Sequence, residues 1–598
     1  MRLEENESVA YQGEAALTDS AAGAVSQDVI VLKFGSSVLR GTADLRTAVT
    51  EIYRHARRGR KVVAVVSAFA GETDALYEQA AFLGASPESR HAPRLIALGE
   101  ERAAALLAIA CEGAGLDARV AGARQIALRA SGPVDDAHPH TADVEVLRQE
   151  LARHDVVITP GFVAVSETGE PVLLGRGGTD LTAVFLAHVL GLGQVTLIKD
   201  VDGVYDRDPA GHAGEARLYR RLSWDKAREV AGKLLQPKAI DFAAARGVEI
   251  RVACANAASD TRVASHTDDP SLPASHEILR VAVAGLGVVG EGAALRLCDD
   301  VDYEPCGALV RDAAKPRSGK LAAVPIHTDI AALLAERPDV VIDALPSGPA
   351  GRALIEAALS QGVSVVTANK QAVAGALDAL HGQAGAAGAT LAYAASVGGG
   401  APMVETVRRA AETGEVASIE AILNGTVNFI LDRVASGEAF DAAVARAQDA
   451  GFAEPDPSAD LSGEDARAKI AILAYEAFGR EIDLAEIELE PLDAALAGRF
   501  AQEGGVWKQI ARIERRGDRI AAQVGFERVD EDDFFSATPG ESNALRLKTA
   551  DGAVFACKGK GAGRRPTVES LLADLGEIKR AREGVDDSPA LVSAAFVR

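Results

Sequence analysis

A strand that runs directly into a glycine-rich turn limits the folds open to this chain more than any other feature. Residues 279–284 form a mostly apolar run, GLGVVG follows at 285–290, and a helical pattern begins at Glu291. This order of strand, G-x-G-x-x-G and helix is typical of a Rossmann unit, in which parallel strands alternate with helices. A simple turn between packed elements is the alternative, but the flanking strand and helix favour a dinucleotide site.

Each residue of the turn has an expected role. Gly285 permits the tight turn, Gly287 lets a pyrophosphate approach the backbone, and Gly290 allows close packing of helix on strand. The helix N-terminus at Val288 and Val289 offers unpaired N–H groups to phosphates. The sequence therefore predicts that this turn holds a dinucleotide cofactor.

The second strand of the unit, near 305–310, bears on which dinucleotide binds. NAD enzymes typically place an acidic residue after this strand, where it meets the ribose hydroxyls. Here Arg311 and Asp312 follow, with Lys315 and Arg317 close behind. The basic residues can meet a 2′-phosphate, so the pattern favours NADP, while Asp312 keeps NAD open.

The segment 451–469 concentrates charged residues around two prolines. Its loop carries Glu454 and Asp460, and Asp465 and Lys469 follow on a predicted helix. Residues four apart share a helix face, so Asp465 and Lys469 are neighbours. A surface ion pair is the plain interpretation and would contribute little. Beside a nucleotide fold and an acidic loop, we favour a carboxylate that orients a catalytic ammonium group.

Three further segments of the second half carry candidate site residues. Lys370 follows an apolar strand at 363–366, and the carboxyl ends of strands bind ligands in α/β proteins. The flexible run 396–400 (SVGGG) and the strand-to-helix turn 424–428 (NGTVN) can also face a ligand.

The first half alternates β-branched runs with alanine-rich helical patterns, which predicts an α/β domain with a largely parallel sheet. Its strand candidates are 29–34, 61–66, 156–158, 195–198 and 248–252. Lys33 opens a Gly/Ser loop after the first strand, which can hold phosphates although it is not a Walker loop. The segment 174–180 (LGRGGTD) precedes a helix and adds an anion site with charges of both signs.

These patterns divide the chain into five parts. We expect an extension at 1–27, an α/β domain at 28–256, a linker at 257–278, a Rossmann domain at 279–412, and a region of mixed helix and strand at 413–598.

Composition excludes several functional classes. A net charge of −23 argues against a nucleic-acid partner, which needs a basic face. The five scattered cysteines form neither a disulfide framework nor zinc spacing. No apolar run has the length of a membrane span, and no signal-peptide pattern is present. We therefore expect a cytoplasmic protein with small-molecule substrates, and we expect it to form a homo-oligomer.

The second half closely resembles homoserine dehydrogenase. The matching motifs, in the family's order, are GLGVVG, TANK, YAASVGGGAP, NGTVNFIL, GFAEPDPSADLSGEDARAK and GKGAGRRPT. The resemblance implies NAD(P)-dependent interconversion of aspartate 4-semialdehyde and homoserine. It also implies that 413–598 is an α+β substrate and dimerisation domain whose end returns to the nucleotide-binding domain. Glu454 and Asp460 would hold the substrate, Lys469 and Lys370 would serve the reacting oxygen, and Asp465 would orient Lys469. Either lysine is a candidate proton donor.

The same resemblance implies a sodium ion bound by backbone carbonyls, which points to Val397 and Gly399. One departure is Ala394, where the family commonly has glutamate. Carbonyl ligation does not need that side chain, so the ion stays an expectation.

The first half resembles aspartokinase and the wider amino-acid kinase family. The motifs are KFGSSVLR, LGEERAAALLA and GFVAVSETGEPVLLGRGGTDLTAV. The resemblance implies an amino-acid-kinase α/β sandwich that phosphorylates aspartate with ATP and magnesium. The implied site residues are Lys33 and Lys233 for the phosphoryl group, Arg176 for a carboxylate, Glu100 and Asp180 for the substrate ammonium, and Thr73 and Thr179 as hydroxyl contacts.

Departures from the kinase pattern keep two alternatives open. Lys199 replaces a usual threonine, and Gln236 a usual histidine. The first half is therefore either an active aspartokinase, a degenerate binding or assembly module, or a kinase of another acidic amino acid. The 22 residues of 257–278 are too few for the regulatory ACT domains of familiar bifunctional relatives, so we expect no threonine feedback through such a site.

Overall fold

The computed structural model describes residues 29–584 except 87–88, 213, 233, 256–258, 274–276, 318 and 518. The expected extension at 1–27 and the candidate residue Lys233 lie outside the described residues. The described chain forms three consecutive units of mixed helix and strand, and the predicted α/β class is confirmed.

The first unit contains the first twelve strands and seven α-helices. The strands are β1 Val29–Phe34, β2 Lys61–Val66, β3 Ala118–Val120, β4 Arg129–Ser131, β5 His138–Thr141, β6 Val156–Pro160, β7 Val163–Val165, β8 Pro171–Leu173, β9 Gln194–Lys199, β10 Arg221–Ser223, β11 Glu249–Cys254 and β12 Asp260–Ala264. The helices are α1 Leu45–Ala56, α2 Glu72–Phe82, α3 Ala92–Ala114, α4 Val144–Arg153, α5 Gly178–Val189, α6 Trp224–Val230 and α7 Pro237–Arg246.

An eight-stranded sheet forms the centre of this unit. Its order is β10-β12-β11-β9-β1-β2-β6-β3, and all neighbours are parallel except β11 and β12. Alternate residues of β1 enter two different cores: Val31 packs with α5 and α7, and Leu32 packs with α1 and α3. Because both faces are covered, the central strands are almost continuously apolar. A four-stranded sheet, β5-β4-β7-β8, lies beside it.

The structure corrects the expected linker at 257–278. Residues Asp260–Ala264 form β12, which pairs with both β10 and β11 in the first sheet. Thr261 and Val263 are buried while Arg262 is exposed, as the period-two geometry of a strand requires. An alternation this short carries little signal, which is why no strand was predicted here.

The second unit is the expected Rossmann domain. Its elements are β13 Leu279–Ala284, β14 Tyr303–Leu309, β15 Ile326–His327, β16 Val340–Asp343, β17 Ser364–Thr367 and β18 Leu391–Ala392, with α8 Val288–Asp299, α9 Ile330–Ala335, α10 Gly348–Ser360, α11 Lys370–Val373 and α12 Leu377–Ala387. All neighbouring strands in the order β15-β14-β13-β16-β17-β18 are parallel. The glycine turn follows β13 at the centre of this sheet.

The third unit packs helices on a mainly antiparallel sheet. Its elements are β19 Val416–Ile422, β20 Glu488–Leu489, β21 Val506–Arg516, β22 Arg519–Val529, β23 Ser542–Thr549 and β24 Val554–Lys560, with α13 Met403–Thr413, α14 Gly425–Ala435, α15 Phe440–Asp449, α16 Ser458–Leu461, α17 Glu464–Phe478, α18 Ala494–Glu503 and α19 Arg564–Arg582. The strand order is β20-β22-β21-β19-β23-β24. The first turns of α14 and α17 belong to the polar segments 424–428 and 451–469.

Helix α19 joins all three units. Its residues Val568 and Leu571 share a core with α8 and the Rossmann strands, so the chain end returns to the second unit. Its opposite side packs on α1 of the first unit, where Arg57, just after α1, lies 2.6 Å from Asp574. Arg57 also lies 2.9 Å from Glu405 of α13. The two halves of the chain are therefore joined through a buried ion network.

Candidate functional sites

The glycine turn after β13 has the geometry of a dinucleotide site. Gly285 has φ +89°, and a Cβ atom there would lie 2.6 Å from the Ala344 carbonyl oxygen. A Cβ atom at Gly290 would lie 1.7 Å from the Gly285 carbonyl oxygen, so only glycine lets α8 pack this closely. At Gly287 no atom lies within 4 Å of a Cβ position, which leaves the space that a pyrophosphate needs.

Helix α8 presents its N-terminus to that space. Gly287 is the N-cap residue and supplies no side-chain cap, so the N–H groups of the first turn stay available to a ligand. Val289 lines a cavity of about 810 Å³ between the second and third units. The residues present thus fit a dinucleotide cofactor through backbone groups and the positive end of the helix dipole.

The same cavity is lined by the charged residues that the sequence singled out. These are Lys370, Glu454, Asp460, Asp465 and Lys469. Lys370 begins α11 at the carboxyl end of β17, and Asp465 and Lys469 occupy the first turns of α17. The acidic segment and the glycine turn therefore face one another across a single cavity.

Two lysines converge on one carboxylate in this cavity. Lys370 Nζ lies 2.9 Å from Asp465 Oδ1, and Lys469 Nζ lies 2.7 Å from Asp465 Oδ2. Burial alone would raise the pKa of Asp465, but the two ammonium groups outweigh burial and hold that pKa well below its usual value. Asp465 in turn raises the pKa of Lys370. Asp465 thus keeps an ammonium group charged and in place.

Asn424 connects the acidic loop to this cluster. Its side-chain amide donates to Asp460 Oδ1 at 2.7 Å and to Asp465 Oδ2 at 3.0 Å, and Lys469 donates to the Leu423 carbonyl at 2.7 Å. Burial, and then the nearby Asp465, raises the pKa of Asp460. In the sequence, Asn424 is recognisable only as part of a turn, because its hydrogen-bond partners Asp460 and Asp465 lie 36 and 41 residues away.

Asp343 is a buried carboxylate beside the site that the sequence reasoning missed. It ends β16 next to the glycine turn and is fully buried. Its carboxylate accepts from the Leu345 N–H at 3.0 Å and from the Thr367 hydroxyl at 2.9 Å. Burial raises its pKa to about 6. The signal that the sequence offers for Asp343 is an aspartate at the end of an apolar strand.

The basic residues after β14 lie on an exposed loop. Arg311 and Lys315 are exposed, and Arg317 donates to the carbonyls of Lys315 and Asp312 at 2.7 and 3.0 Å. Arg317 therefore hydrogen-bonds to carbonyl groups of its own loop. Arg311 and Lys315 are exposed to solvent in the same loop.

The expected sodium segment borders the main cavity. Val397 is buried, and Gly399, with φ +58°, lines the cavity. The carbonyl of the adjacent Gly400 accepts from the Tyr53 hydroxyl of α1 at 3.3 Å. The described residues contain no group of three or more His, Cys, Asp or Glu side chains that could hold a metal. A sodium site at Val397 and Gly399 stays a prediction that rests on backbone carbonyls.

In the first unit, the structure brings Lys33 and Asp180 together with Lys199. Lys33 Nζ lies 2.6 Å from Asp180 Oδ1, and Lys199 Nζ lies 3.0 Å from Asp180 Oδ2. Burial is the largest influence on Lys33 and lowers its pKa to about 8. In the sequence, Lys199 is recognisable only as a departure from the family pattern. The contact between Lys199 and Asp180 could not be predicted from the sequence.

The other kinase candidates that the structure describes differ in their burial. Glu100 is buried on α3, and its Oε1 accepts from the Ala68 N–H at 3.3 Å. Its Oε2 has no hydrogen-bond partner within the described chain, and burial raises its pKa to about 7. Thr73 lies half-exposed in the first turn of α2, Thr179 is buried beside Asp180, and Arg176 is exposed.

Comparison with known proteins shows which families the three units match. Three family models match: Amino acid kinase family over residues 28–254, Homoserine dehydrogenase, NAD binding domain over 285–394, and Homoserine dehydrogenase over 402–575. A homoserine dehydrogenase of Synechocystis sp. is 31% identical over 335 residues, which cover 52% of this chain and 76% of that protein. The chain belongs to the homoserine dehydrogenase family. The second unit is its nicotinamide-dinucleotide-binding domain.

The first unit is an amino acid kinase domain placed ahead of the homoserine dehydrogenase part. Aspartokinase 2 of Bacillus subtilis is 33% identical over 218 residues, 36% of this chain and 53% of that relative, so the chain spans about half its length. A crystal structure of a homoserine dehydrogenase from Thiobacillus denitrificans is 28% identical with a TM-score of 0.48, over 52% of this chain and 75% of that one. Both resemblances seen in the sequence are confirmed. Within the described part of the chain, no helix has the length and apolar character needed to cross a membrane.

Proposed function

We propose that the homoserine dehydrogenase part interconverts aspartate 4-semialdehyde and homoserine with NADP. The observation that carries this proposal is the cluster Lys370–Asp465–Lys469, which lies in the same cavity as the dinucleotide turn at Val289. A packing role alone would not place two ammonium groups and three carboxylates around an open space of this size.

The residues divide the reaction between them. Glu454 and Asp460 bind the ammonium group of the substrate, since both carboxylates line the cavity. A bound nicotinamide would supply the hydride for reduction of the aldehyde carbon. Lys469 and Lys370 stabilise the negative charge that develops on the aldehyde oxygen, and one of them delivers the proton. Asp465 fixes both ammonium groups before the substrate arrives.

The preference for NADP is assigned to the exposed loop after β14. Arg311 and Lys315 can meet a 2′-phosphate in this loop, while Arg317 is engaged with loop carbonyls. The Val397 and Gly399 carbonyls are the proposed sodium ligands. Cytoplasmic location and homo-oligomer formation belong to the same proposal.

The test is homoserine oxidation by the full chain with NADP and with NAD, for the wild type and for Lys469→Ala and Lys370→Ala. The wild type should oxidise homoserine, and each lysine variant should lose kcat by ~100-fold or more, as loss of a charge-stabilising donor does. Lys548→Ala, at an exposed lysine of β23 outside the cavity lining, is the matched control and should retain kcat. Full activity in both lysine variants would remove the proposed mechanism.

We also propose that the amino acid kinase domain phosphorylates aspartate with Mg·ATP. Lys33 binds the transferred phosphoryl group, and the unpaired Oε2 of buried Glu100 is an acceptor suited to the substrate ammonium. Arg176 binds a substrate carboxylate, with Thr73 and Thr179 as hydroxyl contacts and Lys233 as a second phosphoryl ligand.

ATP-dependent formation of aspartyl hydroxamate tests the kinase proposal. Product formed from aspartate supports it, and competition by glutamate separates it from a kinase of another acidic amino acid. No product from a preparation that oxidises homoserine would instead favour a degenerate assembly module. Threonine titration in both assays should leave the rates unchanged; saturable inhibition would contradict the expected lack of ACT-type feedback.

A further inference from the structure

Lys199 lies at the edge of the first sheet where α/β proteins bind their ligands. Strands β1 and β9 are parallel neighbours near the middle of the first sheet, with Phe34 opposite Ile198. Lys199 therefore stands beside Gly35 at the carboxyl ends of these two strands. Ligands of α/β proteins bind at this edge.

The cluster that Lys199 joins has an excess of positive charge. Lys33 and Lys199 share the single carboxylate of Asp180, and the side chains are 7%, 9% and 4% exposed, respectively. The strongest charge effects on Lys33 and on Asp180 come from the other members of this trio. Two ammonium groups and one carboxylate leave a net charge of about +1 in a buried place, which is costly unless an anion joins it.

We propose that Lys199 is a further cation of the phosphoryl-transfer site and binds oxygens of the transferring phosphoryl group alongside Lys33. This inference rests on the proposed kinase function. A carboxylate oxygen of aspartate forms a bond to the γ-phosphorus, the bond to the β,γ-bridging oxygen breaks, and ADP leaves with that electron pair. Charge is spread over the phosphoryl oxygens during this step, and two nearby ammonium groups stabilise it.

Asp180 then acts as a positioning residue rather than as a substrate ligand. Both of its oxygens are engaged, since Lys199 also lies 3.3 Å from Oδ1. The substrate ammonium is left to Glu100, whose Oε2 has no partner in the described chain. Threonine at position 199, the usual residue in the resembled family, would leave Lys33 and Asp180 as a neutral pair without the surplus charge.

The experiment compares Lys199→Thr, Lys199→Met and Lys199→Arg in the full chain by the hydroxamate assay. Thr and Met should lower kcat by ~100-fold, while Arg should retain most of it, because a positive charge is what the step needs. Homoserine oxidation by the same preparations reports correct folding and should not change. Wild-type kcat and KM for ATP in Lys199→Thr would overturn the proposal.

A pH profile adds a readout that a purely structural role would not move. Lys199 lowers the pKa of Lys33, whose other charged neighbour is Asp180. Removing Lys199 should therefore shift the fall of kcat on the basic side to higher pH in Lys199→Met. An unshifted basic limb would contradict direct coupling of the two lysines at the site.

Two results separate this inference from the kinase proposal. If the wild type forms no hydroxamate, the kinase proposal fails, and Mg²⁺-dependent binding of a fluorescent ATP analogue decides the role of Lys199. Weaker binding by Lys199→Met than by wild type keeps Lys199 as a phosphate ligand, and equal affinity removes it. If Thr and Met variants also lose homoserine oxidation, Lys199→Arg decides: retained kinase activity supports the charge role, and its loss in a folded chain refutes it.

Discussion

Arg57 offers the sharpest test of how the two halves of the chain are joined. Its guanidinium lies 2.9 Å from Glu405 and 2.6 Å from Asp574, and all three side chains are at least 96% buried. Substitution by methionine keeps the volume but leaves two buried carboxylates without their cation. Removing one partner from a buried ion pair costs about 3–5 kcal/mol, so Arg57→Met should lower the free energy of unfolding by that amount.

The loss should depend on pH in a defined direction. Burial already raises the pKa values of Glu405 and Asp574 despite Arg57, and removal of Arg57 raises them further. A carboxyl group whose folded pKa exceeds its unfolded value destabilises the fold as pH rises and it ionises. The deficit of Arg57→Met should therefore be smaller at pH 5 than at pH 8, because lower pH favours the protonated, neutral form of both carboxyl groups.

Urea unfolding followed by tryptophan fluorescence measures this effect. The chain has two tryptophans, Trp224 in the first unit and Trp507 in the third, so single Trp→Phe variants report each half separately. We expect coincident transitions in the wild type and separated, lower midpoints in Arg57→Met. Arg94→Met, which breaks an exposed pair with Glu170, is the control and should change little. Equal midpoints for the two variants would refute the reasoning.

Three further predictions concern the two sites. Gly290→Ala should abolish NADPH binding in a fluorescence titration, because its Cβ would lie 1.7 Å from the Gly285 oxygen; unchanged affinity would contradict the turn geometry. Since burial raises the pKa of Glu100 to about 7, the kinase KM for aspartate should rise as pH falls below that value, and Glu100→Gln should raise KM ~10-fold and flatten the profile. A pH-independent KM in the wild type would remove Glu100 from the substrate site. Arg311→Met should lower kcat/KM for NADP by ~10-fold and leave NAD unaffected; equal losses for both would show that Arg311 does not bind the 2′-phosphate.

Local patterns were sufficient for much of the fold. The strands 29–34, 61–66 and 279–284 have the same bounds in the structure as in the sequence prediction, and the helix predicted to carry Asp465 and Lys469 is α17. These segments combine continuous apolar runs or helical spacing with clear turn residues at their ends, so the local signal and the tertiary environment agree.

The contacts between distant segments could not be obtained in this way. Helix α19 is buried along most of its length between three units, although its sequence is rich in Arg, Glu and Lys. Charged residues normally predict a solvated face. Here the guanidinium of Arg57 compensates the carboxylates of Glu405 and Asp574 where the two halves of the chain meet. Both partners lie more than 300 residues from Arg57, so local sequence spacing could not predict these contacts.

The dehydrogenase site shows the same division. The pairing of Asp465 with Lys469 follows from helix spacing, whereas Lys370 reaches the same carboxylate from a different unit. Asn424 and Asp343 escaped notice because amide and strand-end residues gain meaning only from the groups that surround them. The order of the motifs identified the candidate site residues, whereas their interaction partners follow only from the tertiary packing.

The most direct test of the central claim is a crystal structure of the full chain with NADP and homoserine. The pyrophosphate should lie on the first turn of α8 at Gly287, with the homoserine ammonium against Glu454 and Asp460. The homoserine hydroxyl should lie within hydrogen-bond distance of Lys469 or Lys370. Homoserine bound outside this cavity, or its hydroxyl turned away from both lysines, would contradict the account.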